Sequence, residues 1–306
     1  MTDRMSSLRM VDPVLTNIAL GYKNAQYISE ALFPVVQCPK EAVLVPKFGA
    51  HAFTVYDTQR APRAMSNEMT PDSANLIDIL LKEHDLAYPL DRREIEESLL
   101  DEQAKAVKRA KDAIELEIEY RAAQLAQADA SYDVSAVKTL AVADQWTVST
   151  GDPIKIICDA REKIRNKIGL RPNTMVIGAK VYSVLKFHEA FQAQLGSDAH
   201  KMITTDFLCQ LFDMKAVVVG DAVYNKGADF GDIWGNNIIL AYVADTANGG
   251  DYESPSFGYT FRRQGMPQVD VYDKEGGKIQ YCRYTDIYKV DIIGKDAGFM
   301  IKNCVK

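Results

Sequence analysis

The stretch Asp91–Ala128, DRREIEESLLDEQAKAVKRAKDAIELEIEYRAAQLAQA, contains neither proline nor glycine. Ile95, Leu99, Val107, Ile114, Ile118, Ala122 and Leu125 recur at intervals that sum to helical turns and mark one apolar stripe. Glu94, Glu96 and Glu97 stand near the start, where negative charge suits the positive end of a helix dipole. The pattern predicts one helix of roughly 35 residues, about 50 Å long at 1.5 Å per residue. A helix of that length is either a coiled-coil arm or a spine laid along a sheet. The stripe keeps no strict heptad, which favours the spine.

Downstream the texture changes. Asp152 or Thr150 is placed to cap a helix running to Ile168, with Ile156, Ile157, Ala160 and Ile164 facing inward and Gly169 closing it. Thr174–Ile177 reads as a short buried strand, and Ala179–Phe187 as a helix. A further helix, Asp206–Phe212, follows a threonine cap. Lys215–Gly220 and Asn237–Ala244 read as strands, so this region is an α/β unit. Beyond Gly249-Gly250 the chain is mainly extended: Tyr259–Arg263, Gln268–Tyr272, the turn Lys274–Gly277, then Lys278–Ile293.

Upstream, Glu41–Phe48 and Leu76–Tyr88 read as extended arms around a polar tip from about Tyr56 to Ala74. The tip is longer than a hairpin turn, and loops of that length within a compact domain are usually functional. Before them, Leu15, Ile18 and Ala19 fit one short helix, and Ile28, Ala31 and Leu32 another that closes at Phe33-Pro34. These pieces carry too little apolar surface to form a core alone.

The whole chain has 306 residues, 47% of them hydrophobic and 25% charged, which is the balance of a folded protein and makes wholesale disorder a poor reading. The longest apolar run, Ile238–Ala244, is far too short for a membrane helix. The N-terminus, with Arg4, Arg9, Asp3 and Asp12 and no unbroken apolar core, does not read as a secretion signal. A net charge of −6 argues against a dedicated nucleic-acid binder, though not against a protein that encloses nucleic acid without gripping it. Cys38, Cys158, Cys209, Cys282 and Cys304 are dispersed, as reduced thiols would be.

Motifs that carry chemistry are scarce. His51, His84, His188 and His200 lie far apart, and no H-E-x-x-H or C-x-x-C occurs, so no metal and no cofactor is expected. Gly178-Ala-Lys180 and Gly220-Asp221…Lys226-Gly227 approximate a phosphate-binding turn only in part, lacking the remaining glycines. No G-x-S-x-G elbow is present. The acidic groups Glu94, Glu96, Glu97 and Glu115, Glu117, Glu119 read as a solvated helix face with partners such as Lys111 to Glu115. No catalytic residue is therefore named, and the chain is read as a non-enzyme. Arg60, Arg63, Arg92, Arg93, Arg262 and Arg263 have a functional reading, because arginine pairs with carboxylates at partner interfaces. Ordinary solvated arginines are the competing reading.

The order of pieces (arm, long extended loop, very long helix, α/β unit, terminal strands) resembles the major capsid proteins of tailed bacteriophages, with their α+β Hong Kong 97-type fold. Local stretches carry the same resemblance: Ile28–Val36 (ISEALFPVV), Tyr88–Ile95 (YPLDRREI), and Gly169–Gly178 (GLRPNTMVIG) followed by Val181–Leu185. The resemblance implies an N-terminal arm over 1–40 and an E-loop over 41–90. It implies a P-domain from 91–149 with 252–284, and an A-domain from 150–251 with 285–306. It further implies self-assembly through hexamers and pentamers into an icosahedral virion shell around double-stranded DNA, built in the host bacterial cytoplasm. Scaffolding, portal and possibly decoration proteins are the partners expected. Arg60, Arg63 and Glu68 at the loop tip, with Arg92, Arg93, Arg262 and Arg263, are the inter-subunit contacts expected. Many relatives carry an N-terminal scaffolding segment removed by a protease. Here the arm begins almost at once, so such a segment is expected to be absent or already cleaved, and a separate scaffolding protein is expected. Lys47 and Asn303 match no cross-linking motif, and no isopeptide bond is expected. The alternatives are an encapsulin-type compartment, which shares this fold, and an α/β enzyme.

Overall fold

The computed structural model describes residues 27–46, 58–60, 65–67, 76–98, 101–147, 149–194, 203–225, 227, 229–245 and 256–306. The helix expected after Pro13, Leu99 of the apolar stripe and most of the polar tip lie outside the described residues.

In chain order, α1 (Ser29–Leu32) leads to β1 (Val35–Cys38), β2 (Ala42–Pro46), β3 (Leu76–Leu80) and β4 (Lys82–Asp91). Then come α2 (Arg92–Glu97), α3 (Glu102–Ala126) and β5 (Val137–Thr139). The α/β region holds α4 (Pro153–Ile168), β6 (Thr174–Gly178), α5 (Ala179–Leu185), α6 (Glu189–Gln194), α7 (Thr205–Phe212), β7 (Ala216–Gly220), β8 (Val223–Asn225), β9 (Phe230–Asp232) and β10 (Ile238–Ala241). The chain ends with β11 (Gly258–Arg263), β12 (Gln268–Lys274), β13 (Ile279–Ile292) and β14 (Gly298–Lys302).

The long helix is not one piece. α2 stops at Ser98, whose backbone is extended, and α3 starts afresh from Asp101. Capping explains the break without proline or glycine. Asp91 and Glu94 close a capping box on α2, and the Asp101 carboxylate accepts from the Ala104 N–H at 2.9 Å. Ser98 Oγ donates to Glu102 Oε1 at 2.7 Å across the joint. The remaining 25 residues of α3 span about 37 Å and do lie along a sheet as a spine.

That sheet has the order β1-β11-β13-β12, with β4 also paired to β13. Ala106, Val107, Ala110, Ile114 and Ile118 of α3 pack on Leu90, Val269, Cys282, Tyr284 and Tyr288 of its strands. On its other face Val36, Phe261 and Ile287 pack with Val45 and Ile79 of the β2–β3 ribbon. β13 runs unbroken through the boundary expected at 284/285, so residues 285–292 belong with this first sheet. β4 likewise places 82–91 in it, by pairing with Ile279–Tyr288. A strand interrupted at either point would leave ladder hydrogen bonds unmade.

The second sheet, β5-β14-β10-β6-β7, carries the largest apolar cluster, including Trp146, Ile157, Met175, Ile177, Phe212, Trp234, Ile239 and Phe299. β6 and β7 are parallel, joined through α5, α6 and α7. Asp152 caps α4 by accepting from the Lys155 N–H at 3.0 Å, and Thr204 caps α7. Asn173 pins the strand entry: its amide donates to Val243 O at 2.7 Å and accepts from Val243 N at 2.9 Å.

Candidate functional site

The β2–β3 ribbon is the first unusual surface. Its register pairs Ala42 with Leu80, Leu44 with Asp78 and Pro46 with Leu76. Val45 and Ile79 turn inward and are buried. Strand alternation then sends the next residues outward, leaving Leu44, Leu76 and Leu80 exposed at 54%, 52% and 60%. A ribbon apolar on both faces, with only Asp78 among those outward leucines, presents surface that a monomer has no reason to expose. It is anchored at its base by Leu81 N–H donating to Glu41 O at 2.8 Å and by an Arg263–Glu41 ion pair at 2.6 Å.

The arginines separate by position. Arg92 and Arg93 are exposed at the start of α2, where the Arg93 N–H is held by Asp91 at 2.9 Å. Arg60 is exposed; Arg63 and Glu68 lie outside the described residues. Arg263 is engaged with Glu41 within the chain. Arg262, one residue away, turns to the opposite face of β11 and meets Asp286 at 3.0 Å. Within the chain it supplies the cation beside Asp286, which is only 1% exposed.

Around this pair lies a recess of about 160 Å³, lined in part by Glu30, Lys111, Glu115, Thr260, Arg262 and Tyr284. Lys111 is buried and stands 3.6 Å from Glu115, the i,i+4 pair expected from sequence. Burial raises the Glu115 and Asp286 carboxyls above their ordinary range, with Lys111 and Arg262 respectively pulling the other way. On the sheet's other face Arg283 forms a fork with Asp270, at 2.9 and 2.5 Å, and its guanidinium lies 5.2 Å from the Tyr272 ring. This second pair was not foreseen, since neither residue stands out in the linear sequence.

Glu119 is a correction. The sequence groups it with a solvated acidic face, yet it is fully buried. The signal was available: Glu119 shares a helical stripe with buried Ala122, Ala123 and Ala126. It accepts from Ser29 N–H at 2.8 Å and from Trp234 Nε1 at 2.6 Å.

Of the glycines weighed as phosphate turns, Gly178 and Gly220 have a packing explanation, whereas Gly227 has nothing within 4 Å and a φ of +109°. A Cβ on Gly178 would sit 1.8 Å from Gly235 O, and one on Gly220 would sit 2.4 Å from the Trp234 ring. Close approach, not ligand access, requires glycine there. His84 stacks on Tyr288 with centroids 4.4 Å apart, 3.6 Å from Glu117, and burial lowers its pKa. His188 bonds the Thr150 carbonyl at 3.0 Å. His51, His200 and Lys226 lie outside the described residues. Among the described residues no cluster of three His, Cys, Asp or Glu side chains could hold a metal, and no helix is long and apolar enough to cross a membrane. The five cysteines are unpaired; Cys38, Cys282 and Cys304 are buried, and burial pushes the Cys282 thiol up to about 11.

No protein-family profile matches the chain. It is 45% identical over 302 residues to the major capsid protein of Burkholderia phage BcepMu, covering 97% of this chain and 98% of that one. Among solved structures, a phage-related protein from Bordetella bronchiseptica superposes with a TM-score of 0.79 at 29% identity, over 97% of this chain and 98% of that one. An encapsulin complex from Synechococcus elongatus superposes with a TM-score of 0.54 at 11% identity, over 89% of this chain and 85% of that one, a likeness of fold alone.

Proposed function

The chain belongs to the phage major capsid proteins, and on that premise we propose that it is the repeating subunit of a phage head. Copies assemble through hexamers and pentamers into an icosahedral shell that encloses double-stranded DNA. The observation that carries this reading is identity of 45% sustained across 97% of the chain. The fold is of the Hong Kong 97 type.

The physical surfaces support it. The β2–β3 ribbon is apolar on both faces and suits a loop laid over the adjacent subunit, as repeated heterologous contacts require. Residues 1–40 serve as an arm reaching neighbours and 41–90 as the E-loop, whose last strand is rooted in the P-domain sheet. The second sheet with its helices is the A-domain at the five- and six-fold axes. Arg60, Arg63, Glu68, Arg92, Arg93, Arg262 and Arg263 are the inter-subunit charge contacts. The net charge of −6 keeps the subunit from gripping the packed polymer. Scaffolding and portal proteins, with or without a decoration protein, complete assembly in the host cytoplasm, and the chain acts as a structural protein and not an enzyme.

Light scattering and negative-stain microscopy on the purified protein, with and without co-expressed neighbouring genes, test this. Hollow particles, or rings near about 205 kDa for six chains of 34.1 kDa, are expected. A monomer or dimer under every condition would overturn it. Removing the loop tip, residues 59–72, should leave a folded subunit and weaken shells.

A further inference from the structure

The N-terminal segment packs Leu32 and Phe33 into the apolar cluster of the second sheet, and one side chain also links the two by hydrogen bonds. Glu119 lies in the middle of α3 with no exposed surface. Its Oε1 accepts from Trp234 Nε1 at 2.6 Å and from the Ile28 N–H at 3.1 Å. Its Oε2 accepts from the Ser29 N–H at 2.8 Å and again from Ile28 at 3.1 Å. Among the described residues no lysine, arginine or histidine pairs with it, so these neutral donors alone offset the burial of the carboxylate.

The two sets of donors belong to different parts of the molecule. Ile28 and Ser29 open α1, and the chain then enters β1, which pairs parallel to β11 at the edge of the first sheet. Trp234 stands between β9 and β10, with its ring against Gly220 of β7, so it travels with the second sheet. A carboxylate can serve three such donors in only one orientation. When one donor leaves, the group is free to turn towards whatever solvates it best, and the other bonds weaken with it.

We propose that Glu119 couples the root of the N-terminal segment to the second sheet, so that displacing Trp234 loosens Ile28–Leu32, and releasing Ile28–Leu32 frees Trp234. The coupling is reciprocal because both sides share one acceptor. It goes beyond the shell reading and depends on bonds within one chain, so it succeeds or fails separately from assembly.

Amide hydrogen exchange on the full-length protein, wild type and variants compared in the same assembly state, measures it. Trp234→Phe should speed exchange across Ile28–Cys38 by about fivefold or more, the lower end of typical coupling, while α4 exchanges as in wild type. Glu119→Gln should do at least as much, and adding Trp234→Phe to it should change nothing further. Wild-type protection in Trp234→Phe, or additive effects in the pair, would overturn the proposal. Should Trp234→Phe also loosen α4, the reverse direction decides. Replacing Ser29 by its α-hydroxy acid turns the Ile28–Ser29 amide into an ester and deletes one donor without redirecting the backbone, and Trp234 emission is read in a Trp146→Phe background. A shifted spectrum is expected, and an unchanged one refutes the coupling.

Discussion

Replacing Arg262 by methionine, similar in length and without charge, tests the buried pair beneath the N-terminal segment. Asp286 is 1% exposed and Arg262 stands 3.0 Å from it. Removing one partner of a buried pair strands the other, at a cost of about 3–5 kcal/mol. With roughly 2.1 cal/mol/K of unfolding entropy per residue over 306 residues, that lowers the melting temperature by about 5–8 °C. The loss depends on pH, and its sign follows from burial. Burial raises the Asp286 carboxyl above its unfolded value while Arg262 opposes the rise. Between those two values the folded state holds the extra proton, so stability falls as pH rises through that window. Without Arg262 the folded value climbs further and the window widens upward. The R262M defect should therefore be largest at neutral and alkaline pH and shrink as pH falls towards about 3.9, the unfolded aspartate value. Urea denaturation of the unassembled subunit at several pH values, read by circular dichroism, supplies the curve. Substituting Asp286→Leu in the same chain should recover most of the loss, because an apolar pair replaces an ion pair. A defect below about 1 kcal/mol, or one independent of pH, would refute the reasoning by showing that Asp286 is solvated without its partner.

Three further outcomes are expected. Leu44→Asp with Leu80→Asp alters only outward ribbon positions, so subunit stability should hold within about 0.5 kcal/mol while particle yield by sedimentation collapses; intact shells would show that this face is not covered. Asn173→Ala leaves the Val243 N–H and carbonyl without their side-chain partner, which should lower the unfolding free energy by about 1–3 kcal/mol in denaturant titration. Gly178→Ala forces a methyl to within 1.8 Å of the Gly235 carbonyl and should cost more than about 4 kcal/mol, seen as insoluble expression, whereas Gly227→Ala, with nothing within 4 Å, should be limited to backbone strain at its φ of +109°.

Local patterns were legible wherever one short window held the whole signal. The cap at Asp152, the strands Thr174–Gly178 and Ala216–Gly220, and the helix Thr205–Phe212 could be read within a residue or two. The break between α2 and α3 was missed because the apolar stripe continues through it, although Ser98 and Asp101 are both residues that compete for backbone bonds. The arginines were legible as charges but not as directions. Arg262 and Arg263 are adjacent, and strand alternation sends one to a buried aspartate and the other to Glu41 at the surface.

The spine-on-sheet plan and the family are legible along the chain, because periodicity and a 45% identical relative are properties of contiguous stretches. Only the tertiary structure decided which carboxylates are solvated and which are buried. Glu117 and Glu119 differ by two positions on one helix, yet one pairs with Arg121 at the surface and the other is sealed beneath Ser29 and Trp234. Those partners lie 90 and 115 residues away. Such a bond is set by how sheets and helices pack, and no local window contains both of its ends.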